Sequence, residues 1–267
     1  MASQSSQTPP GTVEISAQGN LLTVKPNHNV KGVPSRGDRA ESNEFTSRSR
    51  LNLLRTFARI KAPDSKGYRG KVSMLTLTMR DIVHPREAKK LFFTFLKRWR
   101  RKYAPISGLW KMEFQERGAP HFHMIMYNAG WIPKEDIQES WGKIIGQEKP
   151  FTRIERINNY RQGMKYVAKY LGKLEDGGFN YDSNLTGEVQ SIGRRWGVFN
   201  RRNVPWADKT DATIALDGSW WLIRSYCATF WDVLEERDYL GFCLFHDEPV
   251  LALNHIVSLA RQFAAVQ

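Results

Sequence analysis

Residues 108–127 constrain the fold of this chain more than any other stretch. GLWKMEFQE (108–116) and HFHMIMY (121–127) alternate apolar with polar side chains, and Arg117-Gly118-Ala119-Pro120 joins them. Alternation is the period of a half-buried strand, and a short connection containing Gly and Pro closes two such strands into a hairpin. Successive side chains of a strand face opposite ways. Phe122, Met124 and Met126 therefore share a core face with Trp110, Met112 and Phe114 across the hairpin. His121, His123 and Ile125 take the other face, together with Lys111, Glu113 and Gln115. The chain has six histidines, and two of them stand one residue apart here. Two imidazoles on one strand face can reach a single metal ion. Parity makes Glu113 the third ligand, with Glu116 in reserve if a bulge shifts the register near the turn. Two neutral nitrogens and one carboxylate suit Mg, Mn or Zn alike. His-x-His also arises by chance, so the spacing alone does not decide for a metal.

The flanking segments predict what packs on this hairpin. KVSMLTLTM (71–79) alternates and is rich in β-formers, which predicts a strand. HPREAKKLFFTFLKRWRRKY predicts a helix with Pro85 at its start; Leu91, Phe92, Phe95, Leu96 and Trp99 make its apolar face. A second helix (PKEDIQESWGKII), a short strand (PFTRIERI) and a third helix (NNYRQGMKYVAKYLGKL) follow. Strands interleaved with helices around a hairpin predict an α+β fold, with a central antiparallel sheet flanked by helices. A Gly/Asp/Asn-rich loop comes after Leu174, and RRWGVFNRRNVP returns as a basic strand and turn. Residues 1–42 are poor in large apolar side chains and are expected to be disordered, although NLLTVKP could pair as an edge strand. Residues 43–66 predict a basic amphipathic helix. Residues 67–205 are the expected domain proper, and 206–267 a mainly helical extension of unassigned role.

The third helix carries Tyr-x-x-Lys twice in tandem, Tyr166 to Lys169 and Tyr170 to Lys173. At roughly 100° per residue, Tyr160, Met164, Val167, Leu171 and Leu174 form the core stripe. Tyr166, Lys169, Tyr170 and Lys173 fall together on a second face. Two phenols and two cations with no acid among them are unusual for a plain solvent face, although tyrosines that merely rim a core give the same pattern. A phenol with a pKa near 10 needs its anion stabilised before it attacks anything. A phosphodiester in turn needs a metal to polarise it. A metal on the hairpin opposite the tyrosine helix would meet both needs, with attack leaving a phosphotyrosine and a free 3′-hydroxyl.

Charge agrees with a polyanionic substrate. Forty Lys and Arg against 27 Asp and Glu leave a net +13, and basic side chains gain affinity by releasing counterions from phosphates. Residues 89–102 and Arg194, Arg195, Arg201 and Arg202 are candidate backbone contacts, as is Lys173; a solvated basic surface is the alternative. No apolar run approaches the length of a membrane span, and the first residues lack the pattern of a secretory signal. Cys227 and Cys243 are too few for a disulfide framework or a cysteine zinc site. The expectation is a reduced, intracellular protein.

Strand TLTM, then PHFHMIM, then YVAKYLGK resemble the three ordered motifs of rolling-circle replication initiators, the His-hydrophobe-His (HUH) endonucleases. The paired tyrosines resemble the two-tyrosine branch of phages and plasmids. RRWGVFNRRNVP is similar to a segment that follows the tyrosine helix in many initiators, so the resemblance spans roughly residues 70–205. It implies a sheet related to RNA-recognition and ferredoxin-like domains, with His121 and His123 as metal ligands. It also implies alternating nucleophiles Tyr166 and Tyr170, Tyr166 being taken as the first, and Lys169 orienting phosphate or nucleophile. Mg or Mn would be the cofactor and single-stranded origin DNA the substrate, in the cytoplasm of a bacterial host. With no G-x-x-x-x-G-K-[ST] loop, unwinding would need a host helicase, and a host DNA polymerase would extend the primer. Oligomeric state stays open. The tyrosine follows the histidine motif, opposite to the order in conjugative relaxases. A two-tyrosine transposase shares this motif order. A non-catalytic nucleic-acid-binding regulator on an RRM-like sheet is the other reading, but it should present stacking aromatics on its open face.

Overall fold

A computed structural model describes residues 11–27, 45–63, 71–171, 193–215 and 242–266. They form an α+β fold in which two antiparallel sheets are flanked by helices. Two compact units divide the chain. One takes Arg39–Phe57 with Lys61–Pro205, and the other Met1–Asp38, Ala58–Ile60 and Trp206–Gln267.

The first unit is built on the 108–127 hairpin. Strands β4 (Ser107–Phe114) and β5 (Pro120–Tyr127) pair antiparallel, with Lys111 opposite His123 and Glu113 opposite His121. The connection is Gln115–Ala119, one residue longer than the spacing predicts. Gln115 N–H donates to the Ala119 carbonyl, and Gly118 supplies the positive φ of 84° that the turn requires. With β3 (Val72–Thr78), β6 (Thr152–Ile157) and β7 (Trp196–Phe199), the order across the sheet is β6-β3-β5-β4-β7. Helices α2 (Pro85–Lys102) and α3 (Lys134–Ile145) cover one face. Phe92 stacks on Phe122 at 4.3 Å, and Phe95, Trp99 and Trp141 complete an aromatic layer over Leu75, Leu77, Met112 and Met124. Each fully buried Phe contributes roughly 2 kcal/mol, so this layer anchors the hairpin from behind. The exposed basic residues of α2, such as Arg98 and Arg101, lie on that helical layer and not on the histidine face.

The opposite face carries α1 (Ser47–Ala58) and the tyrosine helix. The latter runs as α4 (Tyr160–Tyr166) and then widens into a π-helical turn, Val167–Leu171, where sequence periodicity predicts uninterrupted α-helix. Asn159 caps its start, accepting from Gln162 N–H at 2.8 Å. Val167 and Leu171 are buried, as the predicted stripe requires. Gly163 lets the helix approach closely: a Cβ there would stand 3.0 Å from the Phe57 ring and 3.5 Å from Ile157.

In the second unit, β1 (Thr12–Gln18) and β2 (Leu21–Asn27) form a hairpin inside the segment expected to be disordered. Strands β8 (Lys209–Ala215) and β9 (Phe242–Phe245) flank it in the order β8-β1-β2-β9, so NLLTVKP is an interior strand and not an edge. Val13, Ile15, Leu22 and Val24 bury against α5 (Pro249–Val266). The short N-terminal run of β-formers cannot offset its ordering entropy alone; strands from more than 180 residues downstream supply the buried surface. The described part of the C-terminal extension is therefore as much strand as helix. Residues 1–10 and 28–44, Lys173, Leu174 and the loop that follows lie outside the described residues. No helix among the described residues is long and apolar enough to cross a membrane.

Candidate metal centre and tyrosine pair

The register of three neighbouring strands assembles the site. Thr76 of β3 stands opposite His123, and His123 opposite Lys111. One row along, Thr78 stands opposite His121, and His121 opposite Glu113. All six side chains share the face away from α2 and α3. Ligand atoms of Glu113, His121 and His123 lie within 4.8 Å of one another, a set that can hold one metal ion. A carboxylate with two imidazoles is a donor set suited to divalent cations, so the residues fit the expectation.

The threonines set the imidazoles. Thr76 Oγ1 lies 3.1 Å from His123 Nδ1, and Thr78 Oγ1 lies 2.9 Å from His121 Nδ1. Gln115 Nε2 is also 3.2 Å from His121 Nδ1. With each Nδ1 engaged, each Nε2 is left for the ion, the arrangement by which supporting groups orient ligand histidines. Here His123 Nε2–H donates to Glu113 Oε1 at 2.7 Å, a place a cation would take over. Sequence alone gave Thr76 and Thr78 no role, although TLT has the parity to meet HFH across one strand spacing.

Lys111 had no role in sequence either. Its side chain has no solvent exposure, its Nζ is 3.4 Å from Glu113 Oε2, and the Phe45 ring covers it at 4.5 Å. Burial pushes the Glu113 carboxyl up. The hydrogen bond from His123, with the charges of His123, Lys111 and His121, outweighs burial and holds the carboxyl below its usual range. Burial, then the charge of His123, brings the His121 imidazole down to about 4, against a smaller upward pull from Glu113. Both groups are thus in their metal-ligating protonation states near neutral pH.

The tyrosine helix delivers its rings to this centre. The Tyr170 ring lies 5.0 Å from the His123 ring, and Tyr166 stacks on Tyr170 at 5.8 Å and 20°. Lys169 Nζ sits 4.9 Å from the Tyr170 ring centroid. Tyr166 hydrogen-bonds to Glu155, which pairs with Arg153 at 2.6 Å. Desolvation, then the charge and hydrogen bond of Glu155, push the Tyr166 phenol above its ordinary value. The tyrosine beside the metal ligands is Tyr170, whereas sequence put Tyr166 first. The π-turn lies in this segment, a deviation found often at functional sites.

The arginines separate. Arg194, Arg201 and Arg202 are exposed. Arg195 is only 5% exposed and its guanidinium lies 5.4 Å from the Phe114 ring, on the helix-covered face. Its charge, after burial and Arg86, helps lower Lys89 on α2. Alternation explains the difference: Trp196 pairs with Lys111 on the metal face, so the preceding side chain points the other way. Arg195 is a packing residue and not a surface phosphate contact. Arg201 and Arg202 follow Phe199, which pairs with Gly108; five residues, roughly 17 Å of strand, separate Gly108 from Glu113.

Residues 72–175 match the family model of the replication-associated protein ORF2. The match begins with β3 and spans the hairpin and both tyrosines, which is consistent with a rolling-circle replication protein. Comparison with curated proteins gave no match.

Proposed function

We propose that the chain is a rolling-circle initiator of the two-tyrosine HUH type, which nicks and later rejoins single-stranded origin DNA of a phage or plasmid. The observation that carries this reading is the Tyr170 ring set against His123 of the Glu113-His121-His123 cluster, with Tyr166 stacked behind it. The replication-associated match over the same residues supports it.

Glu113, His121 and His123 would hold Mg or Mn. When bound, the ion polarises the scissile phosphate and offsets the charge that builds on its oxygens. We assign the first transfer to Tyr170. Its phenol loses a proton and its oxygen bonds to phosphorus, while the bond to the 3′ oxygen breaks and that oxygen gains a proton. One phosphodiester replaces another, so the reverse attack reseals the strand without ATP. Lys169 is placed to stabilise the Tyr170 phenolate, since a nearby cation favours the charged form. Tyr166, stacked behind Tyr170, takes the second transfer. Arg194, Arg201, Arg202 and Lys173 would contact the DNA backbone. A host helicase would open the duplex and a host DNA polymerase would extend the 3′-hydroxyl, in the bacterial cytoplasm.

The test is covalent-adduct formation on single-stranded oligonucleotides from the chain's own replicon, with Mn or Mg. A shifted protein band that requires the ion, survives in each single Tyr→Phe variant and vanishes in the double variant is expected. An adduct indifferent to both tyrosines, or none with any oligonucleotide, defeats the reading.

A further inference from the structure

Strand β6 is an edge of the sheet, and its first residues continue the metal-face rows. Arg153 stands opposite Thr76, and Thr152 opposite Leu77. The ladder extends one residue further, because Thr78 N–H donates to the Phe151 carbonyl at 3.1 Å. Thr152 is 2% exposed and belongs to the helix-covered side. Alternation therefore puts Phe151 and Arg153 together on the metal face. Phe151 extends the row of Thr78, His121 and Glu113, and Arg153 extends the row of Thr76, His123 and Lys111. Two strand spacings, about 10 Å, separate β6 from the histidines, a gap that the nucleotide next to a bound phosphate can bridge.

Both side chains are open: Phe151 is 62% exposed and the Arg153 side chain 58%. A lone exposed phenyl needs no explanation. This one neighbours an exposed guanidinium on the face that carries the metal ligands, in a chain of net charge +13. Arg153 also acts electrostatically on Tyr166 and Tyr170. Its bond to Glu155 occupies only part of a five-donor fork. An exposed ring beside a cation that tracks phosphate is the arrangement by which proteins hold single strands without reading sequence, since every base has a π-face.

We propose that Phe151 and Arg153 form a binding site for the single-stranded nucleotide adjoining the scissile phosphate, with the ring stacking on its base and the guanidinium holding its phosphate. This inference rests on the nuclease reading for its substrate, but its test does not need chemistry. The affinity of the full chain for a fluorescein-labelled thymidine oligonucleotide of about 20 nucleotides is measured by anisotropy in EDTA, and compared with an oligonucleotide of the same length whose central nucleotides are abasic.

Phe151→Ala is expected to weaken binding to the intact strand at least about fivefold, and to leave abasic binding unchanged. Phe151→Trp should restore the affinity. Arg153→Gln should weaken both strands alike and lower the salt slope by about 0.7. Equal affinity of Phe151→Ala and wild type for the intact strand overturns the platform, as does an equal loss on both strands or a wild-type chain that binds neither. Should Phe151→Ala lose stacking while the wild type forms no phosphotyrosine with metal, the platform stands and the nuclease reading falls. A metal-dependent adduct with unaltered Phe151→Ala binding leaves the nuclease reading standing and removes the platform.

Discussion

Lys111 gives the sharpest test of how the metal face is balanced. Its ammonium is fully buried, 3.4 Å from Glu113 Oε2 and 4.5 Å from the Phe45 ring centroid. At an effective dielectric near 20, charges at that separation attract by about 5 kcal/mol, most of which desolvation cancels. Removing one partner of a buried pair costs about 3–5 kcal/mol, because the other charge is stranded. Glu113 is not wholly stranded here: it is 19% exposed and keeps the 2.7 Å bond from His123. Lys111→Met, close in volume and without charge, should therefore cost the metal-free protein roughly 1–3 kcal/mol. That is about 3–10 °C in Tm for a unit of this size.

A divalent cation reverses the balance, because it supplies Glu113 with the charge that Lys111 gave and is no longer repelled by the ammonium. Binding stabilises the folded form by mass action. The Lys111→Met deficit should then shrink by half or more in saturating Mn, and its Mn affinity should exceed that of wild type. Phe45→Leu removes the ring and keeps the charge, so its deficit should be equal with and without Mn. Thermal melts of the three proteins in EDTA and in Mn decide the matter. A Lys111→Met deficit that Mn does not change, or no deficit in either condition, refutes the argument.

Thr78→Val keeps the branching of the side chain and removes the oxygen that orients His121; calorimetry should show Mn binding about 10- to 100-fold weaker, with an unchanged melt in EDTA. His121 is lowered to about 4 from an unfolded value near 6.5. Between those values the unfolded state binds the extra proton, so metal-free stability should fall as pH drops from about 6.5 to about 4, by up to about 3 kcal/mol. Urea midpoints across that range should decline in wild type and flatten in His121→Gln. Deleting Ala168, an exposed residue of the π-turn, should restore α-helical geometry and rotate Tyr170 by roughly 100° away from His123. The adduct formed by a Tyr166→Phe background should then drop at least about tenfold, and an undiminished yield would mean that the π-turn does not place the nucleophile.

The elements legible in sequence are those whose own residues supply their burial. The α2 helix shows its apolar stripe because Phe92, Phe95, Leu96 and Trp99 all meet one sheet face. The hairpin shows its alternation because β5 is covered from behind by that stripe. The β1–β2 hairpin was missed for the converse reason. Its partners β8 and β9 lie some 200 residues away, so nothing local distinguishes Thr12–Asn27 from a polar linker. The π-turn left no trace either. It is a local accommodation of one extra residue against tertiary neighbours, and α-helical spacing still put Val167 and Leu171 inside, as they are.

The site divides along the same line. Parity within one hairpin was enough to bring Glu113 to His121 and His123, since only one register joins strands so closely linked. Thr76, Thr78, Phe151 and Arg153 needed the order β6-β3-β5, which follows from long-range pairing and not from spacing. Lys111 was visible on the correct face, but its burial was not, because Phe45 reaches it from a segment 66 residues earlier. Arg195 failed in the opposite direction: a cluster of basic letters reads as surface, yet strand alternation turns every second one inward. Sequence thus recovers the ligands contributed by one hairpin, and loses the groups that tune them whenever those arrive from other strands.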